Sequence, residues 1–147
     1  MKAKLIKSAM YDLHSDPKSL SPIQHFANAK EPITAVCHSP TVLLKATSPT
    51  GELLLSSATV TGFSSVEEDQ IGMTAAMPFL LEDGLDRVSG GKYVNASNPW
   101  GEKVAVSRCV GLGGTLITGQ NPASTAGVAN EILKALVLCI SHYRNAS

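Results

Sequence analysis

The sequence lacks the features that would draw it to a polymer or a membrane. Its 147 residues include 12 Lys and Arg against 12 Asp and Glu, so the formal net charge is zero. A chain without a basic or acidic field has no long-range attraction for nucleic acid or for charged lipid. The start, MKAKLIKSAM, has too few consecutive apolar residues to form the core of a signal peptide. No later apolar run is long enough to span a membrane. We therefore expect neither nucleic acid nor membrane among its partners.

Cysteine is scarce, and its spacing forms no motif. The three cysteines, Cys37, Cys109 and Cys139, contain no C-x-x-C pair, so they predict neither a disulfide framework nor a zinc site. Free thiols of this kind are typical of a reducing compartment. We predict a cytoplasmic protein without a metal or a cofactor.

What is present is the composition of one globular domain. Hydrophobic residues make up 44% of the chain and charged residues 16%, which is typical of a chain that buries a core. Strand-like and helix-like runs alternate, and no repeat or low-complexity linker divides them. This order predicts a single α/β domain.

The stretch ITAVCHSPTVLLKA, residues 33–46, has the pattern of a strand, a sharp turn and a helix. ITAVC is apolar, rich in β-branched residues and without alternation, which indicates a strand covered on both faces. Ser39 is the predicted N-cap of the helix, and Pro40 its first residue. Cys37 and His38 therefore lie at the turn.

The middle of the chain predicts two more strands and a helix. The runs Leu53–Leu55 and Ala58–Thr61 are strand-like and follow turn residues. The segment MPFLLEDGLDRVSGG predicts a helix that begins at Pro78 and ends at the pair Gly90 and Gly91.

The last part of the chain predicts a buried strand and the longest helix. TLITG, residues 115–119, is the strand, and Asn121 caps the helix with Pro122 as its first residue. The helix shows a predicted apolar stripe of Val128, Ile132, Leu133, Leu136, Val137 and Ile140.

Cys37 is the residue with the strongest case for chemistry. The turn would hold its sulfur near the first N–H groups of the following helix, where the dipole favours a thiolate and lowers the thiol pKa. The alternative is that Cys37 fills the end of a buried strand, as many cysteines do. His38 can meet the thiol only if the backbone turns sharply between the two residues, because consecutive strand residues point to opposite faces.

Glu68 has two interpretations from the residues alone. It could orient the imidazole of His38 as the acid of a nucleophile, base and acid set. It could instead close a capping box with Ser65 at the start of the helix in SSVEEDQIG, and Ser64 with Glu67 has the same spacing. Capping boxes are the commoner of the two, so the residues alone favour the cap.

Three motifs in this order resemble one protein family. They are AVCHSP at 35–40, VTGFSSVEEDQIG at 60–72 followed by MPFLLEDGL, and LITGQNPAS at 116–124. Their order and spacing resemble the glutathione-independent glyoxalase (glyoxalase III) and heat-shock chaperone branch of the PfpI-type superfamily, whose fold is related to class I glutamine amidotransferases. The resemblance extends from Met10 to about Leu136.

The resemblance implies both a site and a reaction. It makes Cys37 the nucleophile at the elbow, His38 its base and Glu68 the acid of the triad, which reverses the preference for a cap at Glu68. The implied substrate is a small aldehyde, methylglyoxal, which would be converted to D-lactate through a hemithioacetal on the cysteine. No cofactor or metal is implied.

The sequence also departs from this family. The family's N-terminal half, its glutamate beside the thiol and its Gly-His-Gly loop have no counterpart here, and Ser39 stands where the family usually has glycine. We therefore expect a single truncated glutamine amidotransferase-like domain over residues 1–147. Its fold would be a partial doubly wound, flavodoxin-like parallel sheet with flanking helices and without the N-terminal strands.

These departures leave two functions open. One is a glyoxalase III-like lyase whose activity is reduced or lost by the truncation. The other is an inactive remnant that acts as a stress-related holdase chaperone or interaction module. In either case a sheet edge would be exposed, so we expect a homo-oligomer or a partner that covers that edge.

Overall fold

The computed structural model of the chain describes residues 9–108 and 114–145. These residues form three strands and four α-helices, joined by turns and short 3-10 segments. The strands are β1 (Ile33–Val36), β2 (Val104–Arg108) and β3 (Thr115–Gly119). The helices are α1 (Pro17–Asn28), α2 (Ser65–Gln70), α3 (Leu81–Ser89) and α4 (Thr125–Asn145). Cys109 lies outside the described residues, as do the side chains of Cys139 and Ile140.

The three strands form one sheet in the order β1-β3-β2. β1 runs parallel to β3, whereas β2 runs antiparallel to it. The predicted α/β fold with flanking helices is confirmed, but the sheet is mixed and not wholly parallel. β1 is an edge strand among the described residues. Ile33 and Ala35 on one face are buried, but Thr34 on the other face is exposed, so the predicted cover of both faces is incomplete.

A 3-10 segment, Ser39–Lys45, follows β1 and carries its apolar side chains into the core. His38 is its N-cap residue, so Ser39 is the first residue of the segment and not its cap, as the sequence had suggested. Leu43 and Leu44 are both buried, and Leu44 packs against Gly84 of α3. This contact places α3 beside the turn after β1.

The two runs predicted as strands between this segment and α2 are not strands. Leu53 and Val60 each form only an isolated bridge, to Thr47 and to Tyr93. A turn with Ser57 at φ +62° separates the runs, and Leu54 and Leu55 are buried in it. The apolar pattern there reflects burial of a loop in the core, which a short strand would resemble in sequence.

Two predictions about helices differ from the structure: where α3 begins, and how much of the apolar stripe of α4 is buried. α3 begins at Leu81, three residues after Pro78, and ends at Gly90 in the left-handed conformation, as the glycine pair predicted. In α4, Val128 is buried, but three later members of the predicted stripe are solvent-exposed. Its exposed members are Leu133, Leu136 and Val137.

The start of α4 agrees with the sequence. The side chain of Asn121 accepts a hydrogen bond from the backbone N–H of Ala123, and Pro122–Ser124 form one 3-10 turn before the α-helix begins. No helix in the described part of the chain is long and apolar enough to span a membrane.

Candidate active site

Cys37 lies at a tight backbone turn directly after β1. Its φ is +65°, in the left-handed region that costs a residue with a Cβ about 1 to 2 kcal/mol. Two hydrogen bonds hold this conformation: the N–H of Cys37 donates to the carbonyl oxygen of Gly119, and its own carbonyl oxygen accepts from Phe63 N–H, both at 2.9 Å. The sharp turn removes the strand geometry that would have separated Cys37 from His38.

The imidazole of His38 lies between the thiol and a carboxylate. Its Nδ1 is 3.4 Å from the sulfur of Cys37, and its Nε2 is 2.7 Å from Oε2 of Glu68. The ring is buried and packs on Phe63 with centroids 4.3 Å apart. A carboxylate only accepts, so Nε2–H is the donor to Glu68, and Nδ1 is left to accept the thiol proton.

Glu68 is free to orient His38 because another pair caps helix α2. The capping box consists of Ser64 and Glu67, so the alternative pairing of Ser65 with Glu68 is not formed. Glu68 is 3% exposed, and its second oxygen, Oε1, is buried without a partner among the described residues. Both serines had the right spacing, and only the structure distinguishes them.

The surroundings of Cys37 do not favour a thiolate at rest. Burial raises the pKa of the Cys37 thiol to about 11; the backbone N–H of His38 opposes this, and the charges of Glu67 and Glu68 add to it. The sequence had predicted a lowered thiol pKa from the helix dipole. Burial and two nearby carboxylates outweigh any such effect of the short 3-10 segment. The thiol is therefore protonated until His38 accepts its proton.

Glu67, which sequence reasoning treated only as a possible cap residue, is the centre of a hydrogen-bond network. Its Oε2 accepts from the N–H and the hydroxyl of Ser64, both at 2.9 Å. Its Oε1 accepts from the backbone N–H of Trp100 at 2.9 Å and from two side-chain amides, Gln120 Nε2 at 3.0 Å and Asn121 Nδ2 at 2.7 Å. Burial would raise the pKa of Glu67, but these donors outweigh it and lower the pKa. The three longer-range donors are far away in sequence, so spacing could not reveal them.

Trp100, the single tryptophan of the sequence, lies in the loop between α3 and β2. It is 42% exposed and has φ +63°. Its Nε1 donates to Gln70 Oε1 at 2.6 Å, and its ring meets Phe63 edge-on at 5.6 Å between centroids. Trp100 thus packs behind the aromatic ring that contacts His38.

No metal site is seen in the part of the chain that the structure describes, where no three His, Cys, Asp or Glu side chains are grouped to hold an ion. The chemistry available at the site is that of a thiol, an imidazole and a carboxylate in line. Such a set can carry out nucleophilic addition and proton transfer.

Several proteins of known name are similar to this chain in sequence. It is 29% identical over 107 residues to Glyoxalase 3 of Candida albicans, a match that covers 70% of this chain and 43% of that protein. It is 31% identical over 107 residues to the probable glutathione-independent glyoxalase hsp3104 of Schizosaccharomyces pombe, covering 71% and 46%. It is 31% identical over 125 residues to glutamine amidotransferase-like class 1 domain-containing protein 1 of Bos taurus, covering 85% and 53%. No family model matches the chain.

Solved structures of related proteins have the same fold as this chain. The Rapid Encystment Protein 24 kDa of Francisella tularensis superposes with a TM-score of 0.77 at 31% identity, over 88% of this chain and 54% of that one. The chain belongs to the superfamily of glyoxalase III and class 1 glutamine amidotransferase-like proteins. Glyoxalase III of Candida albicans has the same fold, with a TM-score of 0.76 at 22% identity over 87% and 53% of the two chains.

Membership confirms the resemblance inferred from the three motifs. The chain spans about half the length of the relatives that it matches. The roles of Cys37, His38 and Glu68 in this chain are proposals that rest on the geometry above.

Proposed function

We propose that this chain is a glutathione-independent glyoxalase, a lyase that converts methylglyoxal to D-lactate. The observation that carries the proposal is the continuous contact from the Cys37 sulfur through His38 to Glu68, at 3.4 Å and 2.7 Å. Two relatives that are named glutathione-independent glyoxalases, from Schizosaccharomyces pombe and Saccharomyces cerevisiae, support the choice of substrate. A thiol and a base within the protein would replace glutathione.

The first step is addition of the Cys37 thiol to the aldehyde carbon of methylglyoxal. The sulfur–carbon bond forms while Nδ1 of His38 takes the thiol proton, and the imidazolium then gives that proton to the aldehyde oxygen, which yields a hemithioacetal. Because the thiol pKa is raised, this proton transfer must accompany the attack. The carboxylate of Glu68 stabilises the imidazolium that forms.

The second step moves hydrogen between the two substrate carbons. His38, neutral again, removes the proton from the hemithioacetal carbon to form an enediol, and its imidazolium then protonates the neighbouring carbon, which gives a lactoyl thioester on Cys37. One carbon is oxidised as the other is reduced, so no external oxidant or reductant is needed. Water then cleaves the thioester, which releases D-lactate and restores the thiol.

The test is D-lactate formation by the purified chain from methylglyoxal without glutathione. The wild-type protein is expected to produce D-lactate, measured with a stereospecific assay, and Cys37→Ala serves as the matched blank. Equal rates for the two proteins would end the proposal.

Glu68→Gln tests the role of the buried carboxylate. The amide has nearly the same shape, but it carries no charge to stabilise the imidazolium and can present an N–H to Nε2. We expect kcat to fall at least about a hundredfold with KM nearly unchanged, because the loss falls on the transition state. Steady-state kinetics at several pH values measure it, and an unchanged kcat would show that Glu68 only fills space.

A second function is favoured by the exposed apolar face of α4. Leu133 and Val137 are 63% and 65% exposed on neighbouring turns, and Leu136 adds to this face. In the described residues, β1 pairs on one side only. We propose that these surfaces bind unfolded polypeptide, a second copy or another partner, as a holdase or interaction module would.

The holdase proposal is tested by light scattering of a heat-denatured client protein. Wild type and Cys37→Ala are expected to suppress scattering equally, and the double variant Leu133→Ser with Val137→Ser is expected to lose that effect. The proposal fails if the wild-type chain does not suppress scattering.

A further inference from the structure

The conformation of Trp100 requires an explanation. A bulky residue in the left-handed region costs about 1 to 3 kcal/mol and persists only where surrounding contacts enforce it. Here the backbone N–H donates to Glu67, and the indole N–H donates to Gln70. Two residues of helix α2, Glu67 and Gln70, therefore hold the loop in this strained conformation by accepting hydrogen bonds from Trp100.

The loop that contains Trp100 contacts the imidazole of His38 indirectly, through the ring of Phe63. Trp100 meets Phe63 edge-on, and Phe63 packs against His38. The N–H of Phe63 also donates to the carbonyl oxygen of Cys37. Phe63 thus touches both residues that exchange the proton, and Trp100 supports it from behind.

The carboxylate of Glu67 accepts more hydrogen bonds than a helix cap needs. Oε2 alone completes the capping box with Ser64. Oε1 is used for three donors outside the helix: the Trp100 backbone and the side chains of Gln120 and Asn121, which follow β3. The side chain is fully buried. One oxygen caps the helix, and the other joins it to the loop and to the end of the central strand.

We propose that Glu67 is a positioning residue for the reaction: through Trp100 and Phe63 it holds the His38 ring in line between Cys37 and Glu68. The proposal rests on the proposed function for its kinetic consequence, since Glu67 itself touches neither sulfur nor imidazole by hydrogen bond. Its structural consequence, the orientation of His38, does not depend on which substrate the site takes.

The kinetic test is a double-mutant cycle. Glu67→Gln turns an amide N–H toward buried donors, and Trp100→Ala removes the ring that supports Phe63. Each is expected to lower kcat about tenfold, and the double variant no further, because both act through the same ring. KM is expected to stay within about twofold, since substrate contacts are retained. Asp69→Asn is the matched control, because it removes an exposed carboxylate from the same helix.

A spectroscopic test does not require activity. The 2.7 Å hydrogen bond from His38 Nε2 to Glu68 should give a downfield proton resonance, assigned by its loss in Glu68→Gln. We expect this resonance to be broadened or lost in Glu67→Gln and in Trp100→Ala, and retained in Asp69→Asn. A merely structural role would lower the melting temperature and leave the resonance of the folded protein unchanged.

The outcomes separate the two proposals. If wild type forms no D-lactate but the resonance responds as expected, the proposed function fails and the positioning role stands. Full kcat or an unchanged resonance in folded Glu67→Gln overturns the positioning role. If Glu67→Gln does not fold, the same two measurements on Trp100→Ala test the positioning role. This variant is expected to fold, because Trp100 is half-exposed.

Discussion

Replacing Cys37 by alanine is expected to abolish D-lactate formation, with a fall in kcat/KM of at least about a thousandfold. The reaction as proposed passes through a covalent bond to this sulfur, and no other described cysteine lies at the site. Stereospecific detection of D-lactate measures the loss, and circular dichroism confirms that the variant is folded. Retention of wild-type turnover would show that the thiol is not the nucleophile.

Cys37→Gly is the matched partner of this variant. It also lacks the thiol, but glycine adopts φ +65° without a Cβ penalty. We therefore expect Cys37→Gly to be more stable to urea than Cys37→Ala by about 1 kcal/mol, with both inactive. A cysteine at this position thus has a conformational cost that glycine would avoid.

Glu67→Gln is expected to cause the largest loss of stability, about 2 to 4 kcal/mol in the free energy of unfolding. The carboxylate accepts five hydrogen bonds, and the amide of glutamine faces at least one buried N–H with an N–H of its own. Urea titration at neutral pH measures the difference. Glu131→Gln is the control, since its ion pair with Lys134 is at the surface and is expected to contribute less than about 1 kcal/mol.

The stabilisation by Glu67 should depend on pH with a defined sign. Its pKa is lower in the folded protein than the ordinary value of 4.5, so the folded state binds fewer protons than the unfolded state. The contribution is complete above the unfolded pKa and is lost as the pH falls through the folded pKa. The stability difference between wild type and Glu67→Gln should therefore shrink in acid. A difference that stays constant or grows there would contradict an ionised Glu67.

Local signals in the sequence predicted much of the site. The turn after β1 and the cap at Asn121 depend on neighbouring residues, whereas the pairing of His38 with Glu68, 30 residues apart, was expected only from the family resemblance. Proline directly after a capping residue favours a helix start, as at Asn121 and Pro122. These elements were found because few alternatives compete at short range.

The failures come from contacts between distant parts of the chain. Ser64 and Ser65 fit the capping box equally well by spacing, and the choice depends on Trp100 and Asn121, which reach Glu67 from far away in sequence. The raised thiol pKa depends in the same way on tertiary burial. Leu133 and Val137 follow a helical period, but a period does not reveal whether anything covers the stripe.

The hydrogen bond from Cys37 N–H to Gly119 has a consequence for how firmly the thiol is held. Edge strands open more readily than central ones, because they are paired on one side only. The thiol follows β1, which pairs on one side only among the described residues, yet the backbone N–H of Cys37 donates to the last residue of β3, which is paired on both sides. Fraying of β1 from Ile33, at its N-terminal end, would therefore leave Cys37 attached to the central strand, because the bond to Gly119 lies at the other end of the pairing between β1 and β3.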